Sequence, residues 1–394
     1  MGNEIICSLS EMEEDSRDKQ IVDLRAGAES RRVIYPGAIH ICREDFSDRF
    51  AELSPEKPIY LLGRSTRSGA EAALFLREKG IESRCVEGGF QAVVLKRLQI
   101  LLQDKSASEE YLKNAERSII KRYRDKLWSG FVKAIGEYRL IEDGDRIAVC
   151  ISGGKDSTLL AKLFSELYAH GKRNFEVRYL VMNPGYSRVN AGIIESNLRL
   201  LDIPAEVFDS EIFKITLKAG ESPCYLCARM RRGALYSKAR ELGCNKIALG
   251  HHYDDVIETI LMGMLYGGQI QTMMPKLHST NFPGMELIRP MYLIREADIV
   301  RWRDGNDLHF IECACSLTEM AEGAPAGVTE SKRAEVKALI ASLTEKNPYA
   351  EANIFRSVEN VHLDTLIAWK SKGVRHHFLD DYECKEEKKW QSGS

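Results

Sequence analysis

The chain has 394 residues, 44% of them hydrophobic and 29% charged, with 56 Lys and Arg against 58 Asp and Glu and a formal net charge of −2. That length predicts two or three domains rather than one core, and no apolar run reaches the roughly 20 residues that a membrane helix needs. The start, Met1-Gly2-Asn3-Glu4-Ile5-Ile6-Cys7, lacks the basic segment and apolar stretch of a secretory signal, so a cytoplasmic location without a membrane partner is expected. Near-neutrality leaves the question of a nucleic-acid partner to local clusters. Ten cysteines in such a chain are not a disulfide framework, because that compartment keeps thiols reduced. Cys7, Cys42, Cys150, Cys244 and Cys384 read as small apolar fillers or incidental thiols.

The first hundred residues alternate strand and helix signals: Gln20 to Arg25, Pro58 to Leu62, then helical spacing from Gly69 to Lys79. Short apolar strands between helices predict a parallel α/β sheet. Val22-Asp23-Leu24-Arg25, Tyr35-Pro36-Gly37-Ala38-Ile39-His40, Arg67-Ser68 and Gly88-Gly89-Phe90, in that order, resemble a rhodanese domain over residues 1–103. In an active rhodanese the loop after the strand ending near Leu62 begins with a cysteine that carries a persulfide. Counting back from Arg67-Ser68 puts Leu62 there, followed by Gly63, while Cys42 and Cys85 fall outside the loop. The resemblance thus implies a domain without its nucleophile, in which Arg64, Arg67 and loop amides still offer contacts to an anion or a partner. Docking or scaffolding is the expected role.

Residues 104–139 read as a basic linker helix, with Lys113, Arg117, Lys121, Arg122, Arg124, Lys126 and Lys133 interleaved with Tyr123, Trp128 and Phe131. Such a mixture suits phosphate contact and stacking on unpaired bases, which makes Lys121, Arg122, Arg124 and Lys126 candidate RNA contacts. The competing reading is a solvated helix whose aromatics pack on the next domain, its field diluted by Glu109, Glu110, Glu116 and Asp125.

Residues 140–318 predict a second α/β unit, with strands at Ile147 to Ile151, Arg178 to Met182 and Lys246 to Leu249. Ligands of open parallel sheets bind beyond the carboxyl ends of the strands, so the chemistry is expected on the loops after Ile151, Met182 and Leu249. The first of these loops is Ser152-Gly153-Gly154-Lys155-Asp156-Ser157, between an apolar strand and a helical run. Glycines there let backbone amides and the positive end of the helix approach a phosphate, Lys155 adds a mobile charge, and Ser152 and Ser157 add hydroxyls. The hexapeptide resembles the PP-loop of the ATP pyrophosphatases, which release pyrophosphate by placing AMP on an oxygen to make it a leaving group. It lacks the four-residue spacer of the Walker pattern, which argues against a kinase or GTPase.

Pro223-Cys224-Tyr225-Leu226-Cys227 opens a helix that continues through Arg229, Arg231 and Arg232, further candidate RNA contacts. Thiolates at a helix N-terminus beside arginines suit metal ligation or redox chemistry. A second source of ligands is Glu312-Cys313-Ala314-Cys315, although C-x-C is an awkward bite for tetrahedral zinc. One cysteine of that pair with Cys224 and Cys227 makes three thiolates, which would leave one iron of a [4Fe-4S] cluster open to an exogenous ligand such as substrate sulfur. An unusual four-cysteine zinc site stays open as the alternative. Gly250-His251-His252-Tyr253-Asp254-Asp255 follows the last strand; its carboxylates could hold Mg²⁺ on ATP or steer proton transfer, or else simply complement a helix N-terminus. Residues 319–394 read as a helical extension with a charged tail.

These pieces in this order resemble the tRNA 2-thiocytidine synthetases, called TtcA, from about Lys126 to Leu363. The likeness includes Leu140-Ile141-Glu142-Asp143-Gly144-Asp145-Arg146, Arg289-Pro290-Met291, Glu296-Ala297-Asp298-Ile299 and Asn353-Ile354-Phe355-Arg356-Ser357. Together with the rhodanese-like segment, whose fusion is itself a departure from this family's pattern, it implies an α/β protein, a rhodanese-like domain followed by a PP-loop (adenine nucleotide alpha hydrolase-like) parallel-sheet domain with a helical C-terminal extension. The implied activity is an ATP-dependent sulfurtransferase that adenylates the C2 oxygen of an anticodon-loop cytidine and displaces it with sulfur. Implied cofactors are ATP, Mg²⁺ and a [4Fe-4S] cluster on Cys224, Cys227 and Cys313, with Cys315 as the alternative third ligand. ATP would sit on Ser152, Gly153, Gly154, Lys155, Asp156, Ser157, Gly250 and His251, with Asp156, Asp254 and Asp255 as catalytic candidates. Implied partners are tRNA and a sulfur donor, sulfide or a cysteine desulfurase; a homodimer is compatible. The chain departs from the family pattern at Glu312, where a proline is usual, and at Asn183-Pro184-Gly185-Tyr186, where an acidic residue is usual. Alternatives are thiolation of another tRNA base or a small molecule, and a nucleotide-binding redox or sulfide sensor without catalysis.

Overall fold

The structure is a computed structural model that describes residues 5–26, 35–171, 174–210, 212, 223–311 and 332–382, with the side chains of the helix at 223–241 described from Arg229 onward. The chain divides into two compact units, Met1–Asp254 with Met274–Val328, and Asp255–Met273 with Thr329–Ser394. Among the described residues no helix is long and apolar enough to cross a membrane.

The first unit begins with β1 (Ile6–Cys7), β2 (Gln20–Asp23), β3 (Ile39–His40), β4 (Ile59–Leu62) and β5 (Ser83–Val86), a parallel sheet in the order β1-β5-β4-β2-β3. Every residue of the apolar β4 is buried, as in parallel sheets covered on both faces. Its core joins Val22, Ile41, Phe46, Leu61, Leu76 and Cys85. The quoted rhodanese-like segments meet around the loop after β4. Ser65 caps the helix Thr66–Glu78 through a capping box with Ser68. The Phe90 amide donates to the Gly63 carbonyl at 2.8 Å. Gly89 has φ +53, and a Cβ there would lie 2.2 Å from the Gly63 oxygen, so only glycine fits. Arg25, paired with Asp23 at 2.7 Å, lays its guanidinium 3.1 Å from the Phe90 ring centroid. Leu62, at the nucleophile's position, is fully buried and paired in the sheet with Asp23.

The linker forms a helix Lys105–Ile120, a π-helical turn Arg124–Trp128 and a helix Ser129–Glu137. Its apolar face turns inward. Phe131 is fully buried and meets Phe164 edge to face at 5.5 Å, and the Tyr123 hydroxyl donates to the Arg301 carbonyl at 2.9 Å. Lys121, Arg122, Arg124 and Lys126 are all exposed. Phe131 therefore packs on protein and Tyr123 bonds to it, while Lys121, Arg122, Arg124 and Lys126 face solvent together with the acidic Glu109, Glu110 and Asp125.

The second sheet comprises β6 (Arg146–Ile151), β7 (Glu176–Asn183), β8 (Ala205–Asp209), β9 (Lys246–Ala248), β10 (Lys276–His278) and β11 (Glu286–Ile288), in the order β10-β11-β9-β6-β7-β8. All pairs are parallel except β10 with β11. The chain runs outward from β6 through β7 to β8, then returns to the other side at β9, which makes the crevice between β6 and β9 the topological switch point where open sheets bind ligands. The helix Phe90–Gln103 of the N-terminal domain packs on the helix Arg188–Leu200 of the second. A Cβ on Gly192 would lie 3.0 Å from a Leu95 methyl, and one on Gly88 would lie 2.8 Å from a Val189 methyl.

The second unit takes most of the helix Tyr253–Gly267 and adds helices Lys332–Lys346 and Ala350–Ser357. Arg333 pairs with Glu258 at 2.6 Å and with Asp255. The region expected to be helical also holds a hairpin, β12 (Ala368–Ser371) with β13 (Val374–His377), closed by Lys372 at φ 51 and Gly373 at φ 83. Two positive-φ residues are what a tight two-residue hairpin turn requires.

Candidate nucleotide site

The Ser152–Ser157 loop runs from the end of β6 into the helix Lys155–His170. Gly153 sits at φ +85, and a Cβ there would come within 2.5 Å of Ile194 and 2.8 Å of Ile311. The turn is cross-braced by Ser157: its hydroxyl accepts from the Ser152 amide at 3.0 Å and donates to the Gly154 carbonyl at 3.1 Å. Gly154 at the N-cap offers no side-chain cap to the first-turn amides, which leaves them directed at an incoming anion.

Lys155 Nζ lies 3.1 Å from both Asp156 and Glu296. Burial disfavours its charge, yet the two carboxylates outweigh that and hold its pKa above the ordinary value. Asp156 Oδ2 takes this contact, while Oδ1 is buried without a hydrogen-bond partner among the described residues, 3.9 Å from His252 Nε2. A buried carboxylate oxygen in that state fits a divalent cation. No group of three or more His, Cys, Asp or Glu among the described residues is arranged to hold a metal alone, so such a cation would need phosphate oxygens and water as well.

The other two loops converge on the first. A Cβ on Gly250 would lie 3.1 Å from the Ser157 amide nitrogen, so glycine lets the loop after β9 touch the phosphate loop. His252 is buried, 3.7 Å from Asp254. Asp254 itself accepts from the Glu296 amide at 2.6 Å and from Arg295 at 3.2 Å, so it ties this loop to the start of the helix Glu296–Gly305 that presents Glu296 to Lys155. Asp255 belongs to the second unit, where it pairs with Arg333. After β7, Asn183 accepts from the Gly185 and Tyr186 amides, and the Tyr186 hydroxyl reaches the Ser152 carbonyl at 3.3 Å. Asp209, beside Asn183 on the neighbouring strand β8, accepts from the Asn183 side-chain Nδ2 at 2.8 Å. Glu296, Tyr186 and Asp209 escaped the sequence reading as site residues, although Glu296 opens one of the segments noted for its likeness.

Cys224 and Cys227 occupy the start of the helix Pro223–Glu241, and Cys313 and Cys315 lie outside the described residues. The last described residue before them, Ile311, is the one that abuts Gly153. The five described free cysteines are not activated thiols. Burial pushes Cys150 up to about 12 and Cys7 and Cys85 up to about 11, burial also raises Cys244, and a hydrogen bond to Glu44 raises Cys42.

A PP-loop domain model matches residues 127–317, and a rhodanese-like domain model matches residues 8–96. The chain is 37% identical over 232 residues to a tRNA-cytidine(32) 2-sulfurtransferase of Syntrophotalea carbinolica, covering 58% of this chain and 86% of that one. It is 36% identical over 250 residues to the enzyme of the same name from Coxiella burnetii, covering 63% and 94%. Among solved structures, the U34-tRNA thiolase NcsA from Methanococcus maripaludis with its [4Fe-4S] cluster matches 64% of this chain and 78% of its own, with 21% identity and a TM-score of 0.47. By its identity to these curated relatives and the share of them it spans, the chain belongs to the tRNA-cytidine(32) 2-sulfurtransferase family.

Proposed function

We propose that this protein is an ATP-dependent tRNA sulfurtransferase that exchanges the C2 oxygen of an anticodon-loop cytidine for sulfur. The observation that carries the reading is the glycine-built phosphate loop at the β6/β9 switch point, with Lys155 and uncapped helix amides facing one crevice. In the proposed reaction the cytidine C2 oxygen attacks the α-phosphorus of ATP, the α–β bridge breaks and pyrophosphate leaves. A sulfur nucleophile then adds at C2, and AMP departs with the original oxygen.

The residues divide these tasks. Ser152, Gly153, Gly154 and Ser157 shape the cradle, and Lys155 exchanges its two carboxylate partners for phosphate oxygens, neutralising charge on the departing pyrophosphate. Gly250 and His251 close the cradle from the β9 side. Asp156, through its buried Oδ1, fits a Mg²⁺ ion shared with ATP. Asp254 acts through structure, fixing Glu296, and Asp255 is the less central candidate because its partner is Arg333. The thiolates of Cys224 and Cys227, with Cys313 or alternatively Cys315, are a soft donor set that suits a [4Fe-4S] cluster. Such a cluster, when bound, supplies an open iron position for sulfide. Lys121, Arg122, Arg124 and Lys126 are exposed and suit phosphate contacts, as do Arg229 and Arg232. The N-terminal domain, with Leu62 in place of a thiol, serves as scaffold rather than sulfur carrier, and the sulfur donor is sulfide or a cysteine desulfurase.

The test is reconstitution under anaerobic conditions with ATP, Mg²⁺, sulfide and unmodified tRNA. Nucleoside mass spectrometry is expected to show 2-thiocytidine formed in step with pyrophosphate. Unchanged 2-thiocytidine in cells lacking the gene, or no pyrophosphate with any RNA, refutes the reading. One equivalent of zinc without iron or sulfide refutes the cluster.

A further inference from the structure

We infer that a cleft beside the helix Pro223–Glu241, separate from the phosphate loop, is a subsite for backbone phosphate of the bound RNA; this rests on the tRNA reading above. The helix carries Arg229, Arg232 and Tyr236 at spacings of three and four, which puts them on one face. The opposite wall is the β10–β11 hairpin with its turn, and Arg289, just past β11. The cleft holds about 340 Å³, large enough for a ligand group. Three guanidinium groups line it, and no carboxylate does. In a chain of net charge −2, such a concentration of one sign focuses an anion-attracting field.

The details select phosphate over a base. Tyr236 and Phe282 are already stacked on each other at 4.9 Å and 10°, and the Arg240 guanidinium lies 5.6 Å from the Phe282 ring, so the aromatic wall is engaged internally. Arg289 is buried and anchored by a bond to the Met274 carbonyl, while Arg229 and Arg232 are exposed arms. Thr280 and Asn281 add exposed polar groups at the rim, suited to ribose hydroxyls. The neighbouring Arg231 goes elsewhere, donating to the Tyr186 hydroxyl at 3.2 Å and so bracing the loop that touches Ser152. Consecutive arginines on one helix thus serve two sites, Arg231 the nucleotide and Arg232 the RNA. Cys227 and Arg232 are five residues apart, about 7.5 Å along the axis, so a phosphate held here keeps the RNA strand beside the C-x-x-C turn.

The experiment compares the holoprotein with its Arg229→Ala/Arg232→Ala and Arg229→Lys/Arg232→Lys variants. Affinity for unmodified tRNA is read by fluorescence anisotropy across a KCl series, and ATP affinity by calorimetry. The alanine variant is expected to bind tRNA about 10–100-fold more weakly, with the slope of log K against log[KCl] reduced by about 1–2. The lysine variant is expected to recover the slope, and ATP affinity to be equal in all three. Unchanged tRNA affinity and slope in the alanine variant overturns the subsite while leaving the sulfurtransferase reading intact, because the wild type still binds tRNA. A wild type with no tRNA affinity overturns both. An equal loss of ATP affinity, or submillimolar binding of inorganic phosphate alone that the alanine variant loses, reassigns the cleft to a nucleotide or free anion and overturns the RNA assignment.

Discussion

Gly153→Ala tests the construction of the phosphate loop. At φ +85 a non-glycine residue costs about 1–2 kcal/mol. The added Cβ would also meet Ile194 at 2.5 and 2.8 Å and Ile311 at 2.8 Å, an overpacking that costs typically about 1–3 kcal/mol. Together the variant should lose about 2–5 kcal/mol, which for a domain of this size lowers the melting temperature by roughly 4–20 °C. Gly154→Ala is the internal control, because Gly154 has φ −86 and its Cβ would find nothing closer than 3.7 Å. Its cost should stay below about 1 kcal/mol, the scale of an unstrained glycine replacement. Thermal denaturation of the two variants without nucleotide measures this difference. The triple comparison with Ile194→Ala sharpens it, since removing the two closest clashing carbons should make Gly153→Ala less costly in that background, a coupling of contacting residues. Equal melting temperatures for Gly153→Ala and Gly154→Ala would refute the argument.

Three further outcomes are expected. Asp156→Asn should weaken ATP binding about tenfold in the presence of Mg²⁺ and leave Mg²⁺-free binding unharmed; calorimetry with and without EDTA distinguishes this from a general loss of the site. Leu62→Cys should not create a sulfur carrier, because the side chain is fully buried in β4; in the native variant the new thiol should resist a disulfide reagent and take no sulfur from thiosulfate, and ready labelling would contradict the buried register. Burial pushes the Cys150 thiol from its ordinary 9.0 up to about 12 in the folded state. Its folded pKa is raised, so the neutral thiol's contribution is complete below about pH 9 and is lost as pH rises from there towards 12, because the unfolded chain binds fewer protons in that window. The urea midpoint should therefore fall above pH 9, less steeply in Cys150→Ala.

The phosphate loop was legible because its signals are local: an apolar run that becomes β6, two glycines and a helix whose apolar face begins at once. The parallel sheets were legible for the same reason. The outer strands β8, β10 and β11 were not: Ala205 to Asp209 leaves Val207 55% exposed and lacks the apolar run of a central strand, and β10 and β11 are only three residues each. Contacts between distant residues were also invisible. Asp254 finds its partner 42 residues on, Lys155 meets Glu296 across 141 residues, and Asn183 donates to Asp209. In the linker, composition placed Tyr123, Trp128 and Phe131 among the basic groups, but only the packed fold shows which of them face inward. The arginines after the C-x-x-C looked like one cluster, and helical geometry separates Arg231 from the other two.

The helix Arg188–Leu200 is a party wall. Val189 and Gly192 accept the N-terminal domain on one side, while Ile194 props Gly153 on the other. Cutting the chain after residue 103 would therefore not liberate a smaller enzyme but strip one side of that wall, leaving Val189 and the hollow at Gly192 open to water. In this chain the N-terminal domain is masonry: its helix Phe90–Gln103 backs the wall against which the phosphate loop is built.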